Sequence, residues 1–197
     1  MQTNIIFNNI TKHIQISEQE QQYFLSLLQE KTVKKKQVIL RDGEICKHSA
    51  FIVSGCLRAY TIDTNGFEHI LQFAPTDWWI ADMYSWITQK AGNLIIDALT
   101  DTECLLLGRK EQEQLFIEIP KFERYFRIIT EKSLVANRQR ILDNLSLTAQ
   151  QRYALFCSRY PTLINTLPQK QIAAYIGVTA EFLSKMRAND LKKSKIS

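Results

Sequence analysis

Residues 168–187, PQKQIAAYIGVTAEFLSKMR, restrict the possible folds more than any other stretch of the chain. Apolar side chains recur at Ile172, Ile176, Leu183 and Met186, with Gly177 between two helical halves. The pattern predicts two short helices meeting at a tight turn. Ala173 lets the helices approach, Gly177 adopts a left-handed backbone, and Val178 fills the gap beneath it. Pro168 suits the opening of the first helix, where a missing N–H is harmless. Thr179 suits the N-cap of the second. An ordinary amphipathic pair would require only the glycine, so the agreement of the other positions favours a helix-turn-helix.

Charge is gathered on the same segment. The chain carries a net +5, but residues 151–197 hold eight basic and two acidic side chains, or +6. Residues 1–150 hold 17 basic and 18 acidic, or −1. Basic residues concentrated on a small domain attract a polyanion and displace its counterions. A solvated tail would account for Lys192, Lys193 and Lys195 but not for the others.

Length and composition allow a sizeable core in 197 residues, 45% of them hydrophobic. No apolar run is long enough to span a membrane. The start, MQTNIIFNNITKH, lacks the features of a secretory signal, so a cytoplasmic location is expected. Cys46, Cys56, Cys104 and Cys157 are scattered without metal-ligand spacing and are expected to be buried thiols.

In chain order, Ser17 and Glu20 form a capping box opening a helix over 17–30, with Tyr23, Phe24, Leu27 and Leu28 on one face. Lys34, Lys35 and Lys36 are expected in a solvated strand edge or turn. From 33 to 107, short apolar segments (QVIL, FIVSG, CLRAYTID, FEHILQF, LIIDAL, ECLLLG) alternate with turn signals at Gly43, Gly55 and Gly66, predicting an antiparallel roll. The aromatic stretch 75–92 is expected to contain a short helix. A long helix follows, from near Pro120 to near Asn144. Phe122, Phe126, Ile129, Ser133 and Ala136 lie at coiled-coil spacing and are assigned to a dimer seam. A second stripe (Tyr125, Ile128, Leu134, Ile141, Leu145) is assigned to the roll. A single broad face serving one core is the alternative. Thr148 and Gln151 form a second capping box, with Tyr153, Ala154, Phe156 and Cys157 on the buried face of a new helix. The expected organisation is a roll at 1–118, the long helix at 119–146 and a DNA-binding domain at 147–197.

A glycine-punctuated roll, then a long helix, then a helix-turn-helix resembles the CRP/FNR family of bacterial transcription regulators, with the closest likeness to short members typical of Bacteroidetes. The residues that carry the resemblance are Gly43, Gly55 and Gly66, the segment FERYFR, and above all QRYALFCSRYP and PQKQIAAYIGVTAEFLSKMR. It implies an α+β fold: a cyclic-nucleotide-binding-like antiparallel β-roll, a dimerisation helix and a reduced winged-helix domain. It further implies a homodimer on a near-palindromic operator in double-stranded DNA, with RNA polymerase as a partner. The family's β-hairpin wings have little room in YPTLINTLP, so some of their backbone contacts are expected to be missing or to be replaced by the tail KKSK.

In such motifs the second helix enters the major groove. That assigns Thr179, Ala180, Glu181, Ser184 and Lys185 to the bases, with Glu181 accepting from cytosine and Lys185 donating to guanine. Gln169, Lys170 and Arg187 are assigned to phosphates. The family's cyclic-nucleotide cassette pairs Gly-Glu with Arg-Ser or Arg-Thr; here Ala81-Asp82 and Gly92-Asn93 stand there. The phosphate-neutralising arginine is absent, so cyclic AMP is not an expected ligand and no cofactor is expected. Trp79, Ala81, Asp82, Met83, Gly92 and Asn93 remain candidates for a pocket holding another effector. The aromatic cluster Trp78, Trp79, Tyr84 and Trp86 would either line that pocket or simply pack. His13, His48 and His69 lack metal spacing and no nucleophile motif is present, so no enzyme is expected. A roll-based sensor without DNA binding is the rival reading.

Overall fold

A computed structural model describes the backbone of residues 3–193 and the side chains as far as residue 188. Two helices open the chain, α1 (Asn4–Thr11) and α2 (Glu18–Ser26). Both bonds of the Ser17/Glu20 capping box form, at 2.7 and 3.3 Å. The helix stops short of its expected end, because Leu28–Val33 is strand β1, paired antiparallel with β8 (Thr102–Gly108). A continuous ladder partner outweighs weak local helical preference.

The roll consists of two antiparallel four-stranded sheets. One has the order β1-β8-β3-β6, with β3 at His48–Ser54 and β6 at Trp79–Ile80. The other has the order β2-β7-β4-β5, with β2 at Val38–Leu40, β7 at Ile95–Ala98, β4 at Cys56–Ile62 and β5 at Glu68–Pro75. All six strand segments read from the sequence are present; β1 and the short β6 are additional. Alternation explains the layering. Ala50, Ile52, Cys104 and Leu106 face the core between the sheets, while Phe51, Val53, Leu105 and Leu107 face a second core. That second core is covered by α1, α2, α4 (Arg109–Glu118) and the start of α5 (Lys121–Ser146). A strand buried on both faces reads as a continuous apolar run, as FIV and LLL do here.

Gly55 has φ +90°, and a Cβ on it would collide with the Asp101 carbonyl and the Thr102 backbone. The turn there therefore requires glycine. The lysine run lies between β1 and β2, where Lys34 pairs with Asp101 at 3.2 Å, as expected of a solvated turn. On β4, Leu57 and Ala59 enter the core between the sheets. Arg58 instead meets Asp97 of β7 in a bidentate pair at 2.7 and 2.9 Å and lies over the Tyr60 ring at 4.0 Å.

The chain divides into two compact units. The first comprises residues up to Thr61 together with Leu71–Lys132. The second comprises Ile62–Ile70 and the chain from Ser133 onward, including α6 (Ala149–Arg159), α7 (Gln169–Ile176) and α8 (Ala180–Lys193). The second capping box forms, with Thr148 N–H to Gln151 at 2.9 Å and Gln151 N–H to Thr148 at 3.3 Å. Phe156 is buried as expected, whereas Ala154 is exposed. Residues 161–166 form consecutive turns, and no strand follows β8 among the described residues. Nor is any helix there long and apolar enough to cross a membrane.

The two apolar stripes of α5 divide between buried and exposed positions along the helix rather than by stripe. Phe122 is fully buried against the first unit's helices and sheet, and Phe126 and Ile129 pack beside it. Phe126 and Ile129 are half-buried there. Leu134, Val135, Ile141, Leu142 and Leu145 are exposed, Leu145 at 81%. Ser133 and Ala136 are also exposed, but lie off the line of these leucines. Of the stripe assigned to the roll, only Tyr125 is fully buried; its hydroxyl accepts from Trp79 Nε1 at 2.9 Å and donates to Asn9 at 2.7 Å. The aromatic core around α1 decides which stripe turns inward.

Candidate functional site

Helices α7 and α8 meet at Gly177, whose φ of 76° and ψ of 44° are left-handed. The Gly177 and Val178 N–H groups both donate to the Ala173 carbonyl, at 2.9 and 3.0 Å, closing the end of α7. Arg152 completes that end from α6, donating to the Ile176 carbonyl at 2.9 Å and to the Leu147 carbonyl at 2.7 Å. This arginine, counted above among charges available to a polyanion, is thus occupied within the unit. Arg140 of α5 likewise donates to the Tyr175 carbonyl at 3.0 Å and lies over the Tyr175 ring at 4.1 Å. Burial pushes its guanidinium pKa down.

Thr179 caps α8 by accepting from the Phe182 N–H at 3.2 Å. Thr179→Ala should cost about 1 kcal/mol, the usual size of an N-cap deletion, read as a lower urea midpoint at unchanged slope. An unchanged midpoint would remove the cap from the account of how α8 starts.

Amphipathicity orients the second helix. Leu183 is fully buried, as are Ile172 and Ala173 of α7, and Met186 is half-buried. Glu181, Ser184 and Lys185 are exposed together, with Thr179 exposed and Ala180 half-buried beside them. Four of the five base-facing assignments therefore share an accessible surface at the start of α8. Phe182, not singled out in the sequence, is exposed next to them at 52%. Gln169 and Lys170 are exposed at the start of α7. Arg187 sits apart from this face, half-buried and 5.8 Å from the Tyr153 ring centroid. The basic tail KKSK lies outside the residues whose side chains are described.

The effector candidates do not form one chamber. Trp79 packs against Phe51 and Phe126 in the outer core, at 5.4 and 5.5 Å between ring centroids. Trp86 belongs to the core between the sheets, whereas Trp78, Tyr84 and Met83 are exposed. Asp82 is buried at the N-cap of α3 (Met83–Thr88), where Oδ1 accepts from the Ser85 N–H at 3.1 Å. Its Oδ2 is buried with no hydrogen-bond partner among the described residues. Gly92 lies directly against that carboxylate: a Cβ there would overlap Oδ2. Gly92 is also tied to the β2–β3 connection, donating to the Glu44 carbonyl at 3.2 Å and accepting from the Gly43 N–H at 2.9 Å. The segment corresponding to a phosphate cassette thus presents a buried carboxylate, closed over by its own glycine.

Among the thiols, Cys46, Cys56 and Cys104 are buried and Cys157 is half-buried. Burial raises the Cys56 pKa to about 12 and that of Cys104 to about 11, which keeps both protonated.

Residues 30–118 match the family model described as the cyclic nucleotide-binding domain. No curated protein matches the chain by sequence. Among solved structures, FixK2 from Bradyrhizobium japonicum is similar, with a TM-score of 0.72 at 19% identity over 85% of this chain and 86% of that one. CLP, described as a c-di-GMP-responsive global regulator in Xanthomonas campestris, gives a TM-score of 0.70 at 13% identity, covering 90% of this chain and 93% of its own. A protein from Eubacterium rectale described as a transcriptional regulator of the CRP/FNR family gives 0.69 at 14% identity, covering 90% and 85%. Neither of the last two is described as an enzyme, and at such identities the likeness is one of fold. By fold, the chain is an N-terminal antiparallel β-roll of the cyclic nucleotide-binding kind, followed by the long helix α5 and C-terminal helices that match those of CRP-type regulators.

Proposed function

We propose that the chain is a homodimeric, sequence-specific DNA-binding transcription regulator of the CRP/FNR type that does not respond to cyclic nucleotide. The observation that carries the reading is the start of α8, where Glu181, Ser184 and Lys185 are exposed while Leu183 anchors the opposite side. An α-helix presented in this way fits the major groove, and its first turns reach the base edges. Lys170 and Gln169, exposed at the start of α7, suit adjacent phosphates. Support for the dimer comes from the exposed apolar side chains along the second half of α5. Leu134 and Ile141 lie seven residues apart, as do Val135 and Leu142, and Leu145 extends the line. A two-fold pair would present two copies of α8 to two half-sites of a near-palindromic operator. Against a cyclic nucleotide stands the missing cassette arginine, with Gly92-Asn93 in its place and Gly92 closed directly over the buried Asp82.

Selection from a random DNA pool, followed by anisotropy titration of the winning sequence across salt concentrations, tests the reading. A selected near-palindrome, bound with an affinity that falls steeply as salt rises, is the expected result. No salt-dependent affinity for any DNA would instead favour a sensor without DNA binding, and equal affinity for selected and random DNA would remove the sequence specificity. Lys185→Ala should weaken the selected complex by about 1–3 kcal/mol and relax preference at one half-site position. Uniform loss on all sequences would assign Lys185 to the backbone instead.

A further inference from the structure

The two sheets of the roll leave a cavity of about 440 Å³ between them at one end. This falls within the about 300–1,000 Å³ of sites that take small organic ligands. Apolar side chains from both sheets line it. Leu106, Ala50 and Ile80 form one row, since Ala50 is in register with both of the others. Leu40 and Ile96, in register on the second sheet, also line it. None of the six effector residues expected from the sequence lines this space.

Lys31, Glu44, Lys47 and His48 line it as well. Lys31 on β1 alternates in step with Val33, which is buried in the core between the sheets, so its side chain projects to the inner face. It is half-buried and lines the cavity. A lysine so placed loses hydration, and a carboxylate partner would offset that loss. The chain supplies none among the described residues. Glu44, the acidic residue of the lining, is held by Arg41, accepting from its backbone N–H at 2.9 Å and facing its guanidinium at 3.6 Å. Lys47 stands at the same opening, also outside any ion pair among the described residues. His48 between them has its pKa lowered first by burial, opposed by Glu111 and reinforced by Lys31 and Lys47, so both ammonium groups are close to it. Two lysines without a carboxylate partner among the described residues thus line the same cavity as these apolar side chains.

We propose that this cavity binds a small amphipathic monocarboxylate, with its hydrocarbon part between the sheets and its carboxylate on Lys31 and Lys47. The site does not depend on DNA binding and can be tested without it.

Calorimetric titration of the full-length protein with sodium octanoate, with 1-octanol as the uncharged control, decides the matter. Octanoate should bind saturably at one site per chain, at least ten-fold more tightly than octanol. Lys31→Met should lower octanoate affinity at least ten-fold and leave octanol unaffected. Lys47→Ala, an exposed change that leaves the core untouched, should lower octanoate affinity several-fold and remains informative if the Lys31 variant folds poorly. Four results would each overturn the proposal: no saturable octanoate binding, equal affinity for octanol, full affinity in a folded lysine variant, or displacement of octanoate by cyclic AMP.

Discussion

A chain carrying Ile141→Asp and Leu145→Asp should be monomeric and should bind a selected operator about 10²–10⁴-fold more weakly than the unaltered protein. Both side chains are exposed on α5, Ile141 at 59%, and neither contributes to the core of its own unit. Introducing carboxylates there should therefore leave the folded chain intact while placing like charges face to face across a two-fold seam. Two half-sites joined in one dimer bind with an effective concentration that separate monomers lack, which accounts for the size of the loss. Sedimentation velocity reads the oligomeric state, and anisotropy on full and half operators reads the affinity. A variant that remains dimeric would move the interface away from this face. Phe122→Ala offers a contrast, because it removes a fully buried ring and should cost about 3–5 kcal/mol of stability.

Asp97→Ala should destabilise the first unit by about 3–5 kcal/mol, because it leaves the Arg58 guanidinium buried without its carboxylate. The pair is bidentate at 2.7 and 2.9 Å, and both residues are more than nine-tenths buried. It connects β4 to β7 at the register point where Arg58 faces Asp97. The loss measures the cost of a buried charge deprived of its carboxylate rather than the worth of the pair. For that reason Arg58→Met combined with Asp97→Leu should recover most of it. Urea unfolding monitored by tryptophan fluorescence reads both variants, and a loss below about 1 kcal/mol for Asp97→Ala would show that water reaches the guanidinium.

Features set within a few residues were legible in the sequence. Both capping boxes, the glycine turns at 43, 55 and 66, the helix-turn-helix and six of the eight strands were read from patterns of that range. Gly177 adopts a positive φ, and Thr179 caps α8, for reasons contained in their immediate neighbours. Less legible was anything that depends on which surfaces meet. The helix expected over 17–30 gives way at Leu28 because β8 offers a ladder some eighty residues away. The α5 stripes are both apolar at helical spacing, and only the presence of α1, with Ile6 and Ile10 fully buried, determines that Phe122, Phe126 and Ile129 turn inward. Arg152 read as a charge available to DNA; in the fold it closes the end of α7.

By itself the sequence determined the class of the chain: a roll of short strands, a long helix, and a helix-turn-helix with Glu181, Ser184 and Lys185 on one face. Those follow from backbone preferences and side-chain periodicity, which act over one or two turns. Tertiary structure alone decided which apolar side chains of α5 stay exposed, that Asp82 is sealed against Gly92, and that Lys31 faces a cavity between the sheets. Each depends on residues far apart in the chain approaching within a few ångströms, and on which side of a strand or helix is left uncovered when they do.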